Sequence, residues 1–269
     1  MQNRSLAALY VLAALTFYGF SAPAAAQSGN LEIVGTGDGI DVLQALAAEF
    51  RKDEKSAQIE IPPSIGSGGG IAAVGSGKAI VGRIARKLSS AEGATGIVYK
   101  PFARLPSAFF VNPSSGIKSL DTKQLLAVYS GDVTNWKEVG GADLRIRVVR
   151  REDADSTLTG LRAGMPGWKD LAITDKSKTA TTTQEAIETV RGVPGTIGFG
   201  PFSRTLEKGM TVLKVDGRYP SDPQYPSSVE LALIYKEPMA TPQAKQFIDF
   251  VTTPKARGII ASMGNIPVQ

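Results

Sequence analysis

Histidine and cysteine are both absent from this 269-residue chain. Without histidine it lacks the usual general base near neutral pH and the commonest transition-metal ligand. Ser-His-Asp catalysis and His-based zinc hydrolysis are excluded. Without cysteine there is no disulfide and no thiol nucleophile. Aromatic residues make up 7% of the sequence, and no run of Arg or Lys interleaves with them, which argues against nucleic acid as a partner. Internal repeats and low-complexity tracts are missing. The acidic residues show no calcium-loop spacing, so no metal is expected. Two glycine patterns fail as nucleotide motifs. Gly35-x-Gly37-x-Gly39 lacks the dinucleotide spacing, and Gly70 to Lys78 ends in Ala79 where a P-loop requires Ser or Thr. No cofactor is expected.

What is present begins with a leader. Arg4 supplies a positive charge, Leu6 to Phe20 is an apolar run too short for a comfortable membrane span, and Ala24-Ala25-Ala26 precedes Gln27 as an Ala-x-Ala cleavage site. Residues 1–26 are therefore expected to be a signal peptide. No cysteine follows the site to carry a lipid, so a soluble, exported, periplasmic protein is expected. The formal charge of +5 drops by one when Arg4 leaves, and this mild basicity suits steering of an anionic ligand.

The remainder alternates between strand and helix patterns. Leu31–Val34, Gln58–Ile61 and Ile80–Gly82 read as strands. Asp41–Lys52 places Leu43, Leu46, Ala47 and Phe50 on one helical face. Ser107–Asn112 reads as a buried strand, Thr122–Tyr129 as a helix, and Leu144–Val149 as a strand. Thr183–Val190 is a helix that Thr181 or Thr182 could cap. Gly195–Phe199 and Val229–Tyr235 are strands, and two helices follow at 242–252 and 255–263. Strand, glycine turn and helix in alternation predict an α/β protein with mostly parallel sheets.

Two glycine- and hydroxyl-rich stretches precede predicted helices: Gly66-Ser67-Gly68-Gly69-Gly70-Ile71 and Arg151-Glu152-Asp153-Ala154-Asp155-Ser156-Thr157. Such turns aim backbone N–H groups at one point, where the helix dipole also favours negative charge. Val34-Gly35-Thr36-Gly37-Asp38-Gly39-Ile40 could form a third arm. Thr36, Gly37, Asp38, Gly39, Ser67, Gly68, Gly69, Arg83, Arg151, Asp155, Ser156 and Thr157 are the candidate ligand-binding residues. Purely structural readings stand beside several of them. Glycines also serve tight packing, Asp38 and Asp155 could be helix N-caps, and Arg83 and Arg86 could be solvated surface charges. Trp136 reads as a packing residue. No catalytic set is evident.

The chain resembles the phosphate-binding type of periplasmic solute-binding proteins of ABC transporters. The resemblance rests on the Gly66–Ile71 stretch, on Tyr129-Ser130-Gly131-Asp132-Val133-Thr134-Asn135-Trp136 with Lys137 to Gly141, and on Val148–Asp153. It also rests on Val193-Pro194-Gly195-Thr196-Ile197-Gly198-Phe199 and Phe247-Ile248-Asp249-Phe250. It implies a two-lobed type II periplasmic-binding-protein fold, each lobe a mostly parallel sheet flanked by helices, joined by a two-stranded hinge. Residues 27–108 and 202–269 would form the first lobe, and 109–201 the inserted second lobe. It also implies a small anion held in the cleft, an ABC permease as membrane partner, and a monomer without enzymatic activity.

By the same resemblance Ser67 contacts the anion, Gly68 and Gly69 let backbone approach it, Arg151 lies against it and Thr157 closes its loop. Three positions depart from the family. Asp155 stands where a hydroxyl is expected, Gly39 where a Thr is usual, and Ala85 where an Asp accepts the proton of hydrogen phosphate. The departures leave three outcomes open: Asp38 or Asp155 takes over as proton acceptor, the ligand has changed to another phosphate-like or organic anion, or the fold serves as a sensor or interaction protein.

Overall fold

The computed structural model describes residues 30–268, so the expected leader lies outside the described residues. The first part of the chain forms β1 (Leu31–Gly35), α1 (Ile40–Asp53), β2 (Ile59–Glu60), α2 (Gly66–Gly75), β3 (Val81–Ile84), α3 (Ser90–Gly93) and β4 (Val98–Val111). Next come β5 (Ser119–Leu120), α4 (Thr122–Ser130), β6 (Arg147–Arg151), α5 (Ser156–Gly164), β7 (Lys178–Ala180), α6 (Thr183–Gly192) and β8 (Thr196–Pro201). The chain ends with β9 (Thr211–Val212), β10 (Lys214–Val215), β11 (Ser228–Tyr235), α7 (Pro242–Phe250), α8 (Pro254–Ser262) and β12 (Ile266–Pro267).

The main sheet runs β2-β1-β3-β11-β4-β8-β6-β7. Its outer strands are parallel at both ends: β1 with β2 and β3, and β6 with β7 and β8. The two parallel halves meet through antiparallel β4 and β11. β4 is the spine. Its first part pairs with β11 up to Pro106, and from Ser107 onward it pairs with β8. The sequence pattern shows only the second part of this strand, because Lys100, Pro101 and Arg104 interrupt the apolar run in the first.

Each half buries its own apolar clusters. On one side α1 sets Val42, Leu43, Leu46, Ala47 and Phe50 against α7 and α8, with the Phe50 and Phe247 rings edge to face at 5.4 Å. On the other, Phe109, Tyr129, Trp168 and Phe199 form an aromatic knot. Trp136 is fully buried there and donates from its indole N–H to the Gly195 carbonyl at 2.9 Å, which gives the Asn-Trp stretch its packing role.

The return of the chain is more elaborate than the expected boundary at 201. Phe202 N–H bonds the Pro106 carbonyl at 2.7 Å, and Arg204 N–H bonds Met263 in the first half. The chain then goes back out. Leu206, Met210 and Val212 pack with Ala108 and Phe110, and Leu213, Val215 and Tyr225 join the aromatic half. It crosses for the last time at Ser227, whose carbonyl accepts from Ser107 N–H at 2.9 Å and whose hydroxyl bonds the Ser107 hydroxyl at 3.0 Å. Segment 206–226 thus packs on the inserted half. Its strands are two residues long and leave no periodic signal in the sequence.

Candidate functional site

The loop after β1 is shaped by close approach. Gly35 has φ 137°, and a Cβ there would lie 2.0 Å from the Arg83 carbonyl oxygen, so β1 and β3 can pair only with glycine at this point. Gly39 takes φ 71° as N-cap of α1, where no side chain caps the helix. Asp38 is therefore not the cap its position suggested. Its carboxylate is fully buried and accepts from the other half: from Thr183 Oγ1 at 2.7 Å and Thr157 Oγ1 at 3.2 Å. Thr36 supports the turn by accepting from Asp38 N–H at 3.2 Å. The Gly37 carbonyl accepts from Gln184 Nε2 at 3.1 Å.

Across the cleft two helix starts meet. α2 begins after Ile65, an exposed apolar residue that offers no cap. Ser64 Oγ accepts from Gly66 N–H at 3.3 Å, and the N–H groups that follow in the first turn have no intrahelical partner. Ser67 Oγ accepts from Ala85 N–H at 3.1 Å and shares a hydrogen bond with Ser156 Oγ at 3.0 Å. Ser156 is the first residue of α5. The positive ends of two helix dipoles therefore face one another, an arrangement that favours an anion between them. Gly68 and Gly69 extend the open rim of α2; a Cβ at Gly68 would meet nothing within 4 Å.

Arg151 ends β6 and adds a buried cation. It pairs with Asp155 at 2.8 Å, donates to Thr183 Oγ1 at 3.1 Å, and its Nε is buried without a hydrogen-bond partner. Asp155 caps α5 by accepting from Leu158 N–H at 2.9 Å. It is thus both a cap and a partner that occupies the guanidinium. Burial, reinforced by repulsion from Asp38, pushes the Asp155 carboxyl up to about 6, against the pull of Arg151 and of the Leu158 and Thr157 N–H groups. Burial likewise raises Asp38, opposed by Arg151 and by the two threonine hydroxyls.

Arg83 takes no part in the cleft. Its Nε donates to the Thr36 carbonyl at 2.6 Å and its Nη2 to Pro62 at 2.7 Å, while Nη1 binds the Ile33 carbonyl. It pins the two loops of the first half from behind, and burial lowers it to about 10. Arg86 lies outside as well, paired with Glu92 at 2.8 Å. Thr183 and Gln184 escaped the sequence reading, although both reach across to the Asp38 loop. The run Thr181-Thr182-Thr183 was the available signal; Thr182 is the cap of α6, which leaves the Thr183 hydroxyl free to face the cleft.

The site therefore gathers donors from both halves with two carboxylates among them. A family model described as the PBP superfamily domain matches residues 21–255. The chain belongs to the PBP superfamily. It is 29% identical over 253 residues to the phosphate-binding protein PstS of Bacillus subtilis, covering 90% of this chain and 81% of that protein. It is 25% identical over 204 residues to PstS of Borreliella burgdorferi, covering 68% and 71%. Among solved structures it superposes with a TM-score of 0.79 on a putative phosphate ABC transporter substrate-binding protein of Clostridium perfringens with bound phosphate, at 29% identity and covering 90% of this chain and 100% of that one. A phosphate-binding protein from Stenotrophomonas maltophilia shares the fold with a TM-score of 0.67 at 14% identity, covering 90% of this chain and 91% of that one. The resemblance read from the Gly66–Ile71 and Ser130–Trp136 stretches and the two-lobed α/β class both hold.

Proposed function

We propose that this PBP-superfamily protein is a periplasmic solute-binding protein that captures phosphate between its two halves and delivers it to the membrane permease of an ABC importer. One observation carries the reading: the starts of α2 and α5 meet at Ser67 and Ser156, 3.0 Å apart, with the guanidinium of Arg151 beside them. Hydroxyls of Ser67, Ser156 and Thr157, N–H groups of two helix starts and Arg151 are all donors to oxyanion oxygens. Asp38 and Asp155 are acceptors. That mixture suits an anion that still carries a proton, since a hydroxyl of hydrogen phosphate donates to a carboxylate while sulfate has no proton to give. Asp38 then takes the acceptor role that Ala85 cannot fill. Binding is stoichiometric, with no bond made or broken, and the protein acts as a soluble monomer once its leader is removed. The relatives named for phosphate binding support the same ligand.

The test is calorimetry on the mature protein dialysed free of phosphate, with phosphate and sulfate as titrants. Phosphate binds and sulfate does not. Arg151→Ala loses phosphate binding by a hundredfold or more, the scale of a buried charged contact of about 3 kcal/mol. Asp38→Asn weakens phosphate by at least tenfold and admits sulfate. A protein that binds neither anion defeats the transport reading and moves it to a sensor or interaction role.

A further inference from the structure

A cavity of about 850 Å³ opens on the second half, away from the cleft. Unequal strand lengths create it. β7 covers β6 only along Val149–Arg151, while Arg147 and Val148 pair on their other side with β8. The upstream end of β6 is left without a neighbour along one edge. The segment after α4, the approach to β7 and the last turn of α6 wall the space. Arg151, at the downstream end of β6, belongs to the cleft, so the two places lie at opposite ends of one strand.

The lining is chemically one-sided. Val128, Ile146 and Val148 give it an apolar floor. Arg145, Arg147, Lys176 and Lys178 stand around it, and no carboxylate lines it. Lys178 pairs with Glu185, and Arg147 donates to the Pro194 carbonyl at 3.0 Å. Arg145 and Lys176 form no ion pair among the described residues. A concavity walled by one sign of charge focuses potential and concentrates counter-ions. Thr196 adds a hydroxyl: it lines the cavity, is 1% exposed, and its Oγ1 has no hydrogen-bond partner. A buried hydroxyl left unpaired costs about 1–3 kcal/mol, which a ligand acceptor would relieve.

We infer that this cavity is a second binding site, for a small amphiphilic anion with an apolar chain on the valine and isoleucine floor and acidic oxygens against Arg145 and Lys176. The volume lies within the range of small-ligand sites. Strand addition by a peptide is disfavoured, because the uncovered edge of β6 is only Arg147 and Val148.

The experiment is a titration of the ¹⁵N-labelled mature protein with octyl phosphate below its micelle concentration, in a background of saturating inorganic phosphate. Octanol and inorganic phosphate alone are the comparison arms. Octyl phosphate should shift amides at 145–149 and 174–178 in a saturable way, and an Arg145→Ala, Lys176→Ala double variant should bind it at least tenfold more weakly. Both side chains are exposed, so the variant's thermal midpoint should match the parent and separate lost binding from lost fold. Shifts absent from these amides, an equal response to octanol, or undiminished binding by the double variant would overturn the inference. The same shifts from inorganic phosphate alone would overturn its amphiphilic part and leave a plain oxyanion site.

Discussion

At the scale of single residues, Asp155 is the most consequential departure. Its carboxylate sits 2.8 Å from Arg151, so any anion that uses this guanidinium competes with a carboxylate already there. A shift from 3.8 to about 6 corresponds to about 3 kcal/mol of preference for the neutral form in the folded protein. The sign follows from the raised value. Between about pH 4 and 6 the folded state holds a proton that the unfolded state has lost, so stability falls as pH rises across that window and is flat above it. Asp155→Ser keeps a hydroxyl to cap α5 and frees the guanidinium. Denaturant midpoints measured from pH 4.5 to 7.5 should decline through about 6 in the parent and decline less in the variant, where Asp38 is the raised carboxyl that remains. Phosphate affinity at pH 7.5 should rise about tenfold in Asp155→Ser, and the two proteins should converge near pH 5, where the parent's carboxyl is neutral. The ligand's own titration is common to both and cancels. If the variant instead loses phosphate, Asp155 is a direct ligand contact and the competition argument fails.

At the scale of elements, the glycine run that starts α2 combines two roles that sequence alone cannot separate. Gly70 is a packing residue: a Cβ there would lie 3.0 Å from the Gly35 Cα and 3.2 Å from the Arg83 carbonyl oxygen. Gly68 faces open space. Gly70→Ala must push α2 away from β1 and should cost about 1–3 kcal/mol in urea unfolding. Gly68→Ala should be neutral or stabilising by up to about 1 kcal/mol, since alanine is the better helix former, yet it places a methyl on the helix start proposed to meet the anion and should weaken phosphate binding. Equal stability losses in both would mean that α2 owes its position to something other than this close approach. The contrast shows what was legible. Gly66-Ser67-Gly68-Gly69 and Arg151–Thr157 announced two helix starts, because glycine and hydroxyl residues before a helix have a local meaning. Arg83 and Thr183 did not declare themselves, because each is defined by partners distant in sequence: Arg83 by the Ile33, Thr36 and Pro62 carbonyls, and Thr183 by Asp38.

At the scale of the whole molecule, the two halves touch through a small set of polar bonds across the cleft. Asp38 accepts two of them, from Thr157 and Thr183; Ser67 meets Ser156, and Gln184 meets the Gly37 carbonyl. The expected crossings lay at 108/109 and 201/202; the excursion of 206–226 and the last crossing at Ser227 had no signal, since they rest on two-residue strands and on single bonds such as Ser107 N–H to the Ser227 carbonyl at 2.9 Å. A solute-binding protein works by moving between open and closed states, and a ligand shifts that balance only by binding one state better. Here the contact across the cleft is held in part by the carboxylate proposed to accept the ligand's proton. Asp38→Ala removes two of the cross-cleft acceptances at once and leaves both threonine hydroxyls without their acceptor. The ligand-free variant should therefore open, and small-angle scattering should give it a larger radius of gyration than the ligand-free parent. A radius equal to the parent's would mean that the Ser67–Ser156 and Gln184–Gly37 contacts suffice for closure. A phosphate-induced contraction in the parent that is weakened in Asp38→Ala would tie closure and proton acceptance to the same side chain. The lobes would then shut only on an anion able to donate a proton to Asp38, and selectivity would be exercised at the moment of closing.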